Sequence, residues 1–213
     1  MYIAIEGVIG VGKTTLVRLL QNTFDAEILL EVFEENPFLS DFYGDRERYA
    51  FQTQIFFLLS RYHQQRRTVS EMIATSRNLF ADYTFAKDAL FARINLKGDE
   101  LDMYYKVHEA LAEKIQKPDL LIYLQASTDT LMQRIALRDR PYERQMERSY
   151  IDELNHAYDG FFAKPFGHTP VLIVDTNNLN VIQNPEELKL IENRIRQSLS
   201  LPPFQQTLPL PAA

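Results

Sequence analysis

The chain has 213 residues, 46% hydrophobic and 24% charged, which suits one soluble domain, with or without a lid, around a substantial core. A formal net charge of −6 argues against general affinity for nucleic acid, whose phosphates reward clustered Lys and Arg. There is no cysteine, which excludes disulfides and thiolate chemistry, and no apolar run nears the roughly 18 residues that span a bilayer; a cytoplasmic protein with no membrane partner is expected.

In chain order, the apolar run 2–5 reads as a strand, and a glycine-rich turn leads from it into a helix over Lys13–Thr23. A second strand is expected over 27–30 and a long helix over Arg46–Ala74. Phe51, Ile55, Phe56, Leu58, Leu59 and Tyr62 cannot share one narrow stripe of that helix, so it either lies fully inside the fold or packs against a second subunit. Further strands are expected over Asn78–Ala81, 120–124 and 171–174, with helices over 100–116, Thr128–Arg138, 148–163 and 185–199. Strands that are continuously apolar and alternate with helices predict an α/β fold, a doubly wound parallel sheet of about five strands flanked by helices, with ligands at the strands' carboxyl ends. Residues 1–200 read as a single domain, and 201–213, with Pro202, Pro203, Pro209 and Pro211, as a proline-rich tail.

The segment Gly7-Val8-Ile9-Gly10-Val11-Gly12-Lys13-Thr14 matches G-x-x-x-x-G-K-[ST] between strand and helix, the context this phosphate loop requires. Glycines permit close backbone approach, and the loop amides and the helix N-terminus then face an anion. Gly7, Gly10, Val11, Gly12, Lys13, Thr14 and Thr15 are therefore the expected cradle for ATP, with Lys13 on the β- and γ-phosphates and the Thr14 hydroxyl on Mg²⁺. Such a cradle also serves switches, motors and transport ATPases, so it does not fix the reaction.

Glu31-Val32-Phe33-Glu34-Glu35-Asn36-Pro37-Phe38, with Tyr49 to Gln54, Ser60-Arg61, Asp82 to Ala92 and Arg134 to Tyr158, resembles the bacterial deoxynucleoside kinases, in particular the deoxyadenosine and deoxyguanosine kinases of the P-loop kinase fold. The resemblance implies transfer of the γ-phosphate of ATP to the 5′-hydroxyl of a deoxynucleoside, purines first, in nucleotide salvage. It makes Glu31 the general base, a residue that alone reads as a surface carboxylate. It makes Asp82 a second Mg²⁺ ligand, and Arg134, Arg138 and Arg140 the cations of a lid at about 138–147. Gln54 is implied to read the nucleobase, Arg61 to lie near the 5′-end of the sugar, Tyr43 and Glu143 to hold the 3′-hydroxyl, and Asp88 to meet an arginine or the base. A homodimer through the long helix is also expected.

The sequence departs from the family at position 83. Many relatives have an arginine after the Asp82 position that contacts phosphate and the catalytic carboxylate; here Tyr83 follows, and one expected cation is missing. Phe33, Phe38 and Phe85 are candidates for the base slot, and Asp175, Thr176 and Asn177 for the adenine of ATP. The four histidines show no metal-ligand spacing. Two other readings remain: a monophosphate kinase of the thymidylate kinase type, disfavoured by Glu34, Glu35 and Asp41 near the expected acceptor site, and a non-catalytic nucleotide-binding module.

Overall fold

The computed structural model describes residues 1–75 and 77–202; Pro203, Pro209 and Pro211 lie outside the described residues. Five strands form one parallel sheet: β1 (Tyr2–Glu6), β2 (Ala26–Leu29), β3 (Asn78–Ala81), β4 (Leu120–Gln125) and β5 (Val171–Asp175), in the order β2-β3-β1-β4-β5. All five residues of β1 are buried, as are the first five of β4, which follows from helices covering both faces of the central strands. β5, at an edge, is only half covered, and Ile173 is exposed. Registers such as Ile3 opposite Phe80 and Ile5 opposite Ile122 bring the carboxyl ends of β1, β3 and β4 level.

Among the described residues, eight α-helices connect and flank the sheet: α1 (Lys13–Thr23), α2 (Leu39–Gly44), α3 (Arg46–Ala74), α4 (Lys87–Asn95), α5 (Gly98–Ala112), α6 (Thr128–Arg138), α7 (Arg148–Phe162) and α8 (Pro185–Ser198), besides short 3₁₀ turns at Phe33–Glu35 and Pro141–Glu143. The sequence misplaces β2 by one residue and α5 by two or more at each end, and it misses α2 and α4. Six residues are too few for α2 to show a helical period, and α4 buries Lys87 and Asp88 among its apolar residues, which breaks the usual stripe.

The long helix also differs from its apolar pattern. Its buried stripe is Ala50, Thr53, Gln54, Phe57, Leu58, Arg61, Tyr62, Gln65 and Val69, at three- and four-residue steps. Leu59 lies outside that stripe and is exposed, and Phe51, Ile55 and Phe56 are half-buried. The helix thus turns a partly polar face inward, toward the carboxyl ends of the strands.

Candidate active site

The turn after β1 is shaped by close approach. A Cβ at Gly7 would sit 2.5 Å from the Leu124 carbonyl oxygen, and one at Gly10 would sit 2.9 Å from Ile135 Cγ1 and 3.0 Å from the Leu131 carbonyl. Both glycines have positive φ, 148° and 87°, so side chains are opposed by space and by backbone conformation together. The Lys13 Nζ donates to the carbonyls of Gly7 (2.7 Å) and Val8 (3.2 Å). Burial first, and then the nearby Lys87 ammonium, lower the pKa of Lys13 to about 8. Below the loop, the fully buried Glu6 carboxylate accepts from Thr84 N (2.6 Å), Thr84 Oγ1 (2.8 Å) and Tyr158 Oη (3.2 Å), tying the segment after β3 to the cradle.

Glu31 lies two residues beyond β2, and its backbone N–H donates to Asp82 Oδ1 at 2.8 Å. The other Asp82 oxygen accepts from the Thr14 hydroxyl at 2.5 Å, so Asp82 joins the second strand end to the phosphate loop. One oxygen of the Glu31 carboxylate receives Arg61, with Nε at 2.9 Å and Nη2 also bonded; the other receives Lys87 Nζ at 2.6 Å. Burial alone would raise the Glu31 carboxyl, but the Arg61 and Lys87 charges and their hydrogen bonds outweigh it and hold it far below the usual carboxylate range. Arg61 also bonds Asp88, which is fully buried behind it.

Glu31, Lys13, Thr14, Asp82, Arg61 and Lys87 line one cavity together with Gln54, Tyr43, Glu143, Arg138 and Arg140. Its aromatic walls include Phe33, Phe42, Phe57, Phe91, Tyr142 and Tyr150. Gln54 is 2% exposed and its Oε1 has no hydrogen-bond partner among the described residues; the neighbouring Thr53 Oγ1 is likewise buried and unpartnered. A buried acceptor left without a donor costs about 1–3 kcal/mol, so these atoms face a place where a partner is expected to dock. A second cavity, of about 600 Å³, lies on the other side of the loop crest, bounded by Gly10, Val11, Gly12, Thr15, Arg134, Arg138 and Thr176, and its volume falls in the range of small-molecule clefts.

A family model described as deoxynucleoside kinase matches residues 3–200. A deoxyguanosine kinase from Bacillus subtilis is 34% identical over 199 residues, covering 92% of this chain and 96% of its own. A deoxyadenosine kinase from Dictyostelium discoideum is 33% identical over 192 residues, 88% of this chain and 76% of its own. The solved structure of a deoxyadenosine kinase from M. mycoides with the products dCMP and a flexible dCDP bound superposes with a TM-score of 0.80 at 28% identity, over 92% of this chain and 99% of that one. The chain belongs to the deoxynucleoside kinase family.

In this kinase Arg134, Arg138 and Arg140 diverge. Arg138 donates to Glu143 through Nη2 (2.7 and 2.8 Å) and Nε (3.1 Å), while Arg140 lies 3.7 Å from the same carboxylate and 4.3 Å from the Phe33 ring. Arg134, one turn before Arg138, turns instead to the segment after β5, donating to the Thr176 carbonyl (2.5 Å) and hydroxyl (3.0 Å) and to the Val11 carbonyl (3.3 Å). It braces the walls of the larger cavity.

Several residues read from sequence lie elsewhere in this kinase. Phe85 stacks on His108 at 4.8 Å and lines a different cavity, and Phe38 is not among the lining residues of the Glu31 cavity, so of the three candidate phenylalanines only Phe33 reaches it. Glu35 and Asp41 are exposed, and the Glu34 side chain lies outside what is described; among the described residues the carboxylates in the cavity are Glu31, Asp82 and Glu143. Asp175 and Asn177 bond each other, and Asn177 receives Ser127 N, leaving Thr176 alone of that triplet on the larger cavity. Asp88 meets Arg61 and not the cavity. Lys87 and Glu6 were missed: a lysine opening a short helix and a glutamate ending a strand look like surface residues until the fold buries them.

Proposed function

We propose that this kinase transfers the γ-phosphate of ATP to the 5′-hydroxyl of a deoxynucleoside, with purine deoxynucleosides preferred. The observation that carries the reading is that one cavity holds both the Lys13–Glu31 end of the phosphate cradle and the unpartnered Gln54 acceptor. Gln54 presents an amide to a base edge, Phe33 and Phe57 offer flat walls, and Tyr43 and Glu143 offer a hydroxyl and a carboxylate to the sugar. ATP occupies the larger cavity with its phosphates along the Gly7–Thr15 loop, and Arg134 holds the cavity wall. Similarity to deoxyguanosine and deoxyadenosine kinases supports the purine preference.

In the transfer, the acceptor O5′ forms a bond to the γ-phosphorus as the bridging oxygen to the β-phosphate leaves. Glu31 receives the hydroxyl proton late in that step, so its low basicity is compatible with the role, and its placement matters more than its proton affinity. Lys13 and the lid arginines Arg138 and Arg140 offset charge on the moving phosphoryl group. The paired Thr14 hydroxyl and Asp82 carboxylate are hard oxygen donors suited to Mg²⁺. Mg²⁺ would supply charge neutralisation at the phosphates. The segment at about 138–147 acts as a lid of a single domain spanning 1–200, and the chain works in the cytoplasm as a dimer; no described helix is long and apolar enough to cross a membrane.

Glu31→Gln tests the reading. Turnover should fall about 10²- to 10⁴-fold, the range for loss of a positioned proton acceptor, while ATP affinity stays within a few-fold. Retained turnover removes Glu31 from the mechanism. A panel of the four deoxynucleosides, assayed with ATP and Mg²⁺, tests the preference; a pyrimidine favoured over both purines overturns it.

A further inference from the structure

Lysine is among the residues least often buried, yet the Lys87 side chain is only 6% exposed. It is the first residue of α4, where the helix dipole disfavours a cation, so local helix energetics do not account for its position. What its ammonium gains is the Glu31 oxygen that Arg61 leaves open. The rings of Tyr83 and Phe91 lie 5.8 and 5.7 Å from the same ammonium and keep its surroundings dry. Tyr83 itself cannot serve Glu31 as a cation; its hydroxyl turns away to bond Gln64 at 2.5 Å.

Charge accounting shows what Lys87 adds. Arg61 is shared by two buried carboxylates, Glu31 and Asp88, so these three groups carry one positive and two negative charges, a net of −1. Lys87 brings the cluster to zero. A cluster left at −1 beside a nucleotide's phosphates would repel them and would leave Glu31 held through one oxygen only. A buried ion pair adds little to stability by itself, so a purely structural purpose is a weak explanation for the lysine.

We infer that Lys87 is a positioning residue for phosphoryl transfer: with Arg61 it clamps both oxygens of Glu31 and neutralises the buried cluster facing the nucleotide phosphates. The inference rests on Glu31 being the proton acceptor. It locates the missing cation four residues downstream of position 83, reaching Glu31 from α4.

The lack of cysteine in the chain permits a direct test. Lys87→Cys introduces the only thiol, which can be alkylated in denaturant with 2-bromoethylamine to give a lysine isostere, or with iodoacetamide to give a neutral side chain; both products are then refolded beside a mock-treated wild-type control. The carbamidomethyl protein should show kcat lowered about a hundredfold, the scale for removing one preorganised charge, with KM for ATP and deoxynucleoside changed by no more than a few-fold. The aminoethyl protein should recover most of that loss. Equal activities of the two products, with complete alkylation and matching circular dichroism, overturn the inference. The same pair made in a Glu31→Gln background should differ by less than about threefold, because residues that act as one unit are not additive. A full hundredfold difference there shows that Lys87 acts independently of Glu31 and also overturns the inference. Retained turnover in Glu31→Gln alone is a separate failure, that of the proton-acceptor reading.

Discussion

A glutamine in the middle of a helix ordinarily ends in water, and by composition Gln54 cannot be told from the exposed Gln52 two positions earlier. What separates them is the turn of α3, which puts position 54 on the buried stripe with Phe57 and Arg61. Resemblance to a family points to Gln54, and in the fold its amide oxygen has no donor among the described residues and lies in the cavity that also holds Glu31. Replacing Gln54 by Ala should lower kcat/KM for the deoxynucleoside roughly tenfold to a hundredfold, corresponding to about 1–3 kcal/mol for an amide whose base contacts are lost. ATP hydrolysis in the absence of acceptor should be unchanged. An unaltered kcat/KM would show that the base is read by other groups. Lys87 and Glu6 mark the limit of legibility at this scale, because their environment comes from distant segments: Glu31 is 56 positions from Lys87, and Thr84 is 78 from Glu6. No local pattern encodes such pairings.

At the level of elements, the strands and most long helices were legible in the sequence, and the shorter helices α2 and α4 were not. α1, α3, α6 and β3 have the limits read from sequence; the three helices each have a visible start: the glycine before Lys13, Asp45 capping Arg48, and Ser127 capping Thr130. The apolar residues of α3 are too many for one stripe, and its inner stripe includes polar residues of the Glu31 cavity while Leu59 and Ile73 remain exposed on the outside. These two side chains are 14 positions apart, which returns them to nearly the same face of an α-helix. Exposed Met103 of α5 adds apolar surface on the helix that packs beside α3. This outer surface is the proposed dimer contact. Leu59→Glu with Ile73→Glu should convert a dimer into a monomer in sedimentation velocity without loss of helical signal. A wild-type protein that is monomeric at all concentrations, or a double variant that still dimerises, rules that contact out.

Across the whole molecule, alternation of apolar strands and helices made the parallel sheet legible, and the phosphate-loop motif located its working edge. Sequence could not give the strand order β2-β3-β1-β4-β5, and it is this order that sets Glu31, Asp82 and the cradle around a single cavity. The same order places the larger cavity across the loop crest, with Gly10 and Arg138 common to both walls. Gly10 has no side chain with which to transmit anything. Arg138 does, and its guanidinium is clasped by Glu143, a wall of the Glu31 cavity, while its own side chain borders the larger one. A nucleotide that draws Arg138 toward its phosphates therefore changes how Glu143 is held, and a deoxynucleoside that engages Glu143 changes what Arg138 can offer the nucleotide. The two occupancies are then linked, and the linkage must be reciprocal. A non-hydrolysable ATP analogue should shift the Kd of the deoxynucleoside by about five- to a hundredfold, and the deoxynucleoside should shift that of the analogue by the same factor. Arg138→Ala should leave each ligand able to bind alone but bring the factor close to one, as measured by titration calorimetry in both orders. If the factor survives in that variant, communication between the cavities runs through the loop backbone and not through the arginine.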